Sequence, residues 1–501
     1  MEQIVKDFQA FLEEMRMYGQ AASIMSFDAQ TVAPKASIGI RAKRSGFFSQ
    51  KMFEMATGEK MKGFLDALKP YLGELDDVVT AQYRKAKKAY DDGTKIPATL
   101  VKEFSELKAK GNQAWEKARK DNDFDAFAPY LEQIVAKQKE VINYRIKDGQ
   151  HPYDVVLDDF EEGMTIAIYD EFFAKLRETI VPLLKAIVNS DKKIDNAFMH
   201  EYVDIETQRK QAKFIAEKIG YDLDRGYLTE ATHPFCSGSH RTDVRITTRY
   251  DENDFVSSFY SVLHECGHAI YEQSIGDDIA ETALSRGTSM GIHESQSRFY
   301  ENCIGRSRQF WQYITDELKG YLPESFANVV PEQFFEATNI VSPSLIRVEA
   351  DELTYSLHIM IRYEIERMLF NGEIDVKDLP ALWNKKYEEY LGITPPNNTL
   401  GVLQDIHWSW GLFGYFPTYA LGSAYAAQFL AYIRKEMDVD ALITKGDFAA
   451  ITKWLNEKIH IHGSKYTPTQ LMEKMGSEQL NADYYTNYLK NKYEAIYNVK
   501  I

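Results

Sequence analysis

The sequence predicts a mainly α-helical fold with one small β-sheet, and three observations carry this. Apolar residues recur at helical intervals along most of the chain. One stretch, residues 226–254, exchanges that rhythm for Thr, Ser, Gly and Arg with alternating β-branched residues. No internal repeat or low-complexity run divides the 501 residues.

Taken in order, "TLVKEFSELKAKGNQAWEKARK" places Leu100, Phe104, Leu107, Ala114 and Trp115 on helical spacing, with Pro97 just ahead as a first-turn proline. "YLEQIVAKQKEVINYRI" repeats the pattern through Leu131, Ile134, Val135, Val141 and Ile142. "DEFFAKLRETIVPLLKAIV" repeats it again, with a kink expected at Pro182. "DVRITTRY" reads as a short strand or hairpin. "SPSLIRVEADELTYSLHIMIRYEIERM" reads as a long amphipathic helix opening at Ser342-Pro343. The end of the chain reads as helix, break, helix. The expected organisation is one domain over 1–501, with a helical N-terminal part (1–220), a catalytic part (221–423) and C-terminal helices (424–501).

Lys and Arg number 59 against 75 Asp and Glu, for a formal charge of −16. Such an excess argues against nucleic acid or an anionic membrane as the main partner. Cys236, Cys266 and Cys303 are too few and too irregularly spaced for a disulfide framework or a zinc knuckle. The N-terminus lacks the basic and apolar regions of a signal peptide, and no stretch approaches the ~18 apolar residues of a membrane span. A reducing cytoplasm is the expected compartment.

The chemistry announces itself in "SVLHECGHAIYEQ". In H-E-x-x-H the two histidines, His264 and His268, stand one helical turn apart and present nitrogens to one metal ion. Glu265 points beside that ion, within reach of a water bound to it. The helix has Asn253 or Asp254 as N-cap and an apolar stripe of Phe255, Phe259, Val262, Leu263 and Ile270. A catalytic zinc takes three protein ligands, and Glu294, 26 residues beyond His268 on a second helix, supplies the third. His293 competes for that place but points about 100° away on a helix, which leaves it a supporting role. His460 and His462 in "HIHG" have no carboxylate cluster beside them and read as structural.

Two later stretches are dense in functional residue types. Arg347 and Asp351 lie four apart, which suits either a surface ion pair or an Arg347 fork reserved for a substrate carboxylate. "GVLQDIHWSWGLFGYFPTYALG" sets Gln404, Asp405, His407, Trp408, Tyr415 and Tyr419 among glycines and aromatics, the makings of a pocket wall with donors for an oxyanion.

Six motifs in order now resemble the carboxypeptidase Taq-type metallocarboxypeptidases over the whole chain. They are His233-Pro234-Phe235; D-x-R-x-T at Asp243, Arg245 and Thr247; H-E-x-x-H at His264, Glu265 and His268; His293-Glu294-Ser295; I-R-x-x-A-D at Ile346, Arg347, Ala350 and Asp351; and G-x-x-Q-D-x-H-W at Gly401, Gln404, Asp405, His407 and Trp408. The resemblance implies a helical fold with a deep groove floored by a small sheet, like that of the angiotensin-converting-enzyme and neurolysin peptidases. It implies one zinc per chain, replaceable by cobalt, and a homodimer. It implies release of single residues from peptide C-termini with broad preference, C-terminal Pro being disfavoured. Arg347 then takes the terminal carboxylate, helped by Arg245. His407 with Tyr419 or Tyr415 serves the oxyanion, and His240, His233, Asp351 and Gln404 stand near substrate. The alternatives are an oligoendopeptidase on the same scaffold and a helical binding protein with a disused metal site.

Overall fold

The structure, a computed structural model, describes residues 1–501. Its helices begin and end where backbone chemistry allows. Ala98–Asp121 starts directly after Pro97 and stops at Asn122, which takes the left-handed conformation at φ 56°. Leu100, Phe104 and Trp115 are buried as expected; Gly111 shares that face, because a Cβ there would stand 2.7 Å from Ile134 Cδ1 of the next helix, Phe124–Arg145. That helix is capped by Asp123, which accepts from Ala126 N. Pro182 lies inside one helix, Ile166–Val188. The C-terminal helix, break and helix are Pro468–Lys474 and Ala482–Tyr497.

The strand region forms three strands rather than one hairpin: β1 (Gly226–Glu230), β2 (Cys236–His240) and β3 (Asp243–Thr248). The order is β1-β3-β2, with β1 parallel and β2 antiparallel to β3. Tyr227 stands opposite Arg245 on one side, Ser237 on the other. Val244 and Ile246 of the central strand are fully buried. β2 is an edge strand with a register irregularity between Gly238 and His240.

The chain divides into two compact units, each assembled from three stretches. The first holds residues 1–94, 195–338 and 429–479 and contains the sheet. Its core includes Trp311 stacked between Phe259 and Phe334, at centroid distances of 5.5 and 4.7 Å. The second holds residues 95–194, 339–428 and 480–501. There Tyr153, Tyr169, Phe173 and Tyr363 pack together.

One expected element starts later than the sequence indicates. No helix opens at Ser342-Pro343: the segment is irregular apart from a single 3-10 turn, Arg347–Glu349, and the helix runs only over Tyr355–Asn371. The reason is Asp351. Its carboxylate accepts from the backbone N–H groups of Ser342, Leu353 and Thr354 and from the Thr354 hydroxyl, which folds the chain into a loop ahead of the helix. The helix that follows is buried nearly all round, with His358, Arg362 and Glu366 fully enclosed.

Glu366 shows how such a helix tolerates charge-bearing groups. Tyr153 Oη, Trp408 Nε1 and the Gly414 N–H each donate to its carboxyl at 2.7 Å. Burial pushes the group up to about 7. Glu366→Leu strands three buried donors, and a loss of roughly 2–5 kcal/mol in urea unfolding is expected, with Glu366→Gln losing clearly less.

Candidate metal centre and catalytic residues

The histidine helix is Phe255–Gln273, capped by Asp254, whose side chain accepts from Ser257 N. His264 and His268 share a face, their ring centroids 5.0 Å apart. A second short helix, Met290–Arg298, capped by the Ser289 hydroxyl, carries Glu294 across them. The two helices touch backbone to backbone at Gly267, where a Cβ would stand 2.4 Å from Gln296 O and 2.6 Å from Ser297 Cα. Glu294 Oε2 consequently lies 3.6 Å from His264 Nε2 and 3.4 Å from His268 Nε2. A tetrahedral ion with bonds of about 2.1 Å places its ligands about 3.4 Å apart, so the three atoms fit one such ion. His264, His268 and Glu294 are also the one group of three potential ligands found together in the chain.

The outer nitrogens of both rings are already engaged, which strengthens the fit. His264 Nδ1 is 2.8 Å from Glu301 Oε2, and His268 Nδ1 is 2.6 Å from His293 Nδ1. His293 Nε2 continues to Glu272 Oε1 at 2.8 Å. Each ligand ring is thereby oriented with Nε2 toward the shared centre. Arg298 ties the acids together, donating Nε to Glu294 Oε1 at 2.9 Å and Nη1 to Glu301 Oε2 at 3.0 Å. His293 therefore supports a candidate ligand, as the sequence indicates. Glu301, Glu272 and Arg298 were not singled out from the sequence. Their signal is spacing: Glu272 stands four after His268, Arg298 four after Glu294, and Glu301 seven after Glu294.

Charge and burial set the protonation of the metal-free cluster. Burial lowers His264, but Glu294 and the bond to Glu301 outweigh it, and the ring is held at about 9. His268 is pushed down to about 3 by burial. For Glu294 burial works upward, yet Arg298 and His264 hold the carboxyl well below its usual range. Glu265, 5% exposed, is pushed up to about 7 by burial.

The later motifs assemble within the second unit. Arg347 is buried, and its acidic partner is Asp405, not Asp351: Nε and Nη2 donate to Asp405 Oδ1 at 3.0 and 2.9 Å. Asp405 Oδ2 receives Arg362 Nε at 2.8 Å. The surface ion pair that the spacing of Arg347 and Asp351 allows is absent, because the helix it requires does not form there. Gln404 Oε1 accepts from the Arg347 N–H and from Arg362 Nη2. Arg347 lies 5.0 Å from the Tyr419 ring. His407 Nε2 is 3.5 Å from Tyr419 Oη, while the Tyr415 ring centroid is 5.4 Å from that of His407. Burial pushes His407 down to about 4, so the ring is neutral at pH 7.

The sheet residues are placed more loosely. Arg245 forks onto Asp243 at 2.7 and 3.0 Å, which joins two positions of one motif, and it covers the Phe27 ring at 5.1 Å. His240 sits at the end of β2 with Nε2 3.1 Å from Glu281 Oε1. His233 is exposed between β1 and β2.

The family model described as "Carboxypeptidase Taq (M32) metallopeptidase" matches residues 7–493. The chain belongs to this family. It is 44% identical to carboxypeptidase 1 of Bacillus subtilis strain 168 over 98% of both chains. It is 36% identical to thermostable carboxypeptidase 1 of Thermus thermophilus, over 98% of this chain and 99% of that one. A solved carboxypeptidase structure from Pyrococcus furiosus superposes with a TM-score of 0.95 at 35% identity, over 98% of this chain and 99% of that one. This metallocarboxypeptidase is thus a peptide-bond hydrolase that uses a metal. No helix of this carboxypeptidase is long and apolar enough to cross a membrane.

Two substitutions test the carboxypeptidase's metal centre. Glu301→Ala should lower metal affinity roughly 10- to 100-fold in chelator competition, with Glu301→Gln closer to wild type. Gly267→Ala forces the two helices apart. It should cost about 1–3 kcal/mol in chemical denaturation despite alanine's higher helix propensity, and should weaken metal binding as well.

Proposed function

We propose that the protein releases single amino acids from free peptide C-termini with broad preference, C-terminal Pro being a poor substrate. The observation that carries the site assignment is the convergence of His264 Nε2, His268 Nε2 and Glu294 Oε2, with the opposite ring nitrogens held from behind. A zinc ion bound there, or cobalt in its place, would polarise the scissile carbonyl and make a water molecule acidic enough to attack near pH 7. Glu265 is the group to receive that water's proton and pass it to the leaving amine. Burial raises its carboxyl in the metal-free site, which favours uptake of a proton.

The remaining roles follow the family resemblance and the local geometry. Arg347 is assigned to the terminal carboxylate. Asp405 and the Tyr419 face hold its guanidinium in one orientation, with less entropy left to lose on binding. His407 with Tyr419 is assigned to the oxyanion. Tyr419 Oη stands 3.5 Å from His407 Nε2, and Tyr415, whose ring packs on both, is the other candidate for this role. Arg245, His240 and His233 are assigned to the substrate path beside the sheet. Asp351 and Gln404 act from behind, shaping the loop that presents Arg347. A homodimer in the cytoplasm completes the reading.

A peptide with a free C-terminus should shorten one residue at a time by mass spectrometry, and its amidated form should resist. Equal cutting of both would refute end recognition. Glu265→Gln should retain the metal by elemental analysis while kcat falls on the order of 100- to 10,000-fold.

A further inference from the structure

The N-terminal helix, Glu2–Thr31, runs beside the sheet's free edge. Gln20 donates its amide to Ser239 O, and the Ser23 hydroxyl donates to Gly238 O at 3.1 Å. Phe27 meets Phe235 edge-on at 5.8 Å. β2, the strand so held, packs against the histidine helix. Another face of the N-terminal helix carries the helix Ile38–Thr57, with Tyr18 against Phe48 at 6.1 Å.

That second helix is unusual. Over 20 residues it buries only Met55. Ile40, Lys43, Arg44, Phe47 and Lys51 follow at steps that place them on one stripe of a 3.6-residue helix. Phe47 is 63% exposed and Ile40 47%. From Ala29 to Phe53 there are five Lys or Arg and no Asp or Glu, in a chain whose total charge is −16. None of the five has a carboxylate partner, and Arg41 Nη1 is buried without an acceptor. Elsewhere on this surface, lysines and arginines are commonly paired with acids four residues away on their own helix. Here the helix has a single acid, Glu54, which accepts from Gln50 Nε2, and apolar side chains stand between the cations.

We propose that this face of the helix Ile38–Thr57 is a subsite for the upstream part of the peptide substrate and favours acidic residues there. The proposal rests on the carboxypeptidase reading. Such an enzyme leaves one residue beyond the scissile bond, so any extended contact must lie upstream of it. Charge complementarity chooses an anionic occupant, and the chain of contacts from the second helix through the N-terminal helix and β2 to the histidine helix sets it three packings away from the metal-binding candidates. Packed helix axes lie about 8–10 Å apart. An extended peptide advances about 3.3 Å per residue. Three such packings span about 24–30 Å, so the preference should appear about seven to nine residues from the substrate's C-terminus, and not at the scissile pair.

The test uses twelve-residue peptides with a common C-terminal tripeptide and Asp or Lys at positions seven to nine from the end. With the wild-type enzyme the Asp series should show roughly tenfold higher kcat/KM, carried by KM. The advantage should vanish in Lys43→Glu/Arg44→Glu and shrink in roughly 0.5 M NaCl. Release from the tripeptide alone, too short to reach the helix, should not change. Equal kcat/KM for the two series, or a preference that survives the double substitution, would overturn the proposal. So would wild-type sedimentation with phosphatidylglycerol vesicles that the double variant loses, with no peptide preference, since this assigns the face to lipid. Binding of the same peptides to Glu265→Gln by fluorescence anisotropy separates the two readings. Tighter binding of the Asp series together with no release from the tripeptide upholds the subsite and counts against the carboxypeptidase reading alone.

Discussion

The metal centre depends on the contact between two helices at Gly267. The residue lies between the two candidate ligands of the histidine helix, and the backbone of Gln296 and Ser297 presses against it more closely than any side chain would allow. Because the helices approach to that distance, a carboxylate as short-reaching as Glu294 spans both rings. The cost is a glycine in a helix interior, about 1 kcal/mol of lost helical preference. The packing of Phe259, Val262, Leu263 and Cys266 on the buried face of that helix offsets it.

Such proximity concentrates like charges, and the surroundings are arranged to bear them. Glu265 and Glu301 are buried, and Glu294 is half-buried beside them. Arg298 answers two of them directly, and Arg306 lies 3.6 Å from Glu301. Glu265 has no such arginine, and its carboxyl alone among the three rises toward neutrality. One neighbourhood thus holds two carboxylates ionised and leaves the third able to exchange a proton, through the placement of guanidinium groups. In the second unit the logic is reversed. Two arginines, Arg347 and Arg362, share the single carboxylate of Asp405. The arrangement carries more positive charge than the carboxylate neutralises.

How much of this was legible in the sequence varies with the range of the interaction. The histidine pair, Glu265, the Asp254 cap and the helices around Leu100 and Leu131 depend on spacing within a few turns, and the chain states that spacing openly. Glu294 was accessible as a candidate because a carboxylate on a following helix is one way to complete a three-ligand set. Glu301 and Glu272 were overlooked, although both stand at helical spacing from a ligand, because an acid on a helix is ordinarily a solvated one. The helix expected at Ser342 failed for another reason. Its apolar periodicity is real, but Asp351 offers the backbone a competing set of acceptors, and a side chain that captures three N–H groups of its own loop outweighs propensity. Strands β1 and β2 were hidden because "GYLTE" and "CSGSH" are too short and too polar to show an alternating face.

The whole-chain charge misleads in the same way. A total of −16 argues against a polyanion as the main partner, and that argument holds for a surface of evenly mixed charge. It says nothing about a segment such as residues 29–57, where five cations stand against the single acid Glu54. On the helix Ile38–Thr57 the lysines and arginines lack the i,i+4 acids that accompany many of the others, so their field is not cancelled at short range. Beyond about 10 Å that field is screened by salt, and the acidity of the remaining surface dominates what a distant solute meets. A peptide lying against that helix is inside that distance. The same protein can therefore repel polyanions in solution and favour acidic residues in a chain it has begun to bind, without any contradiction between its net charge and its local one.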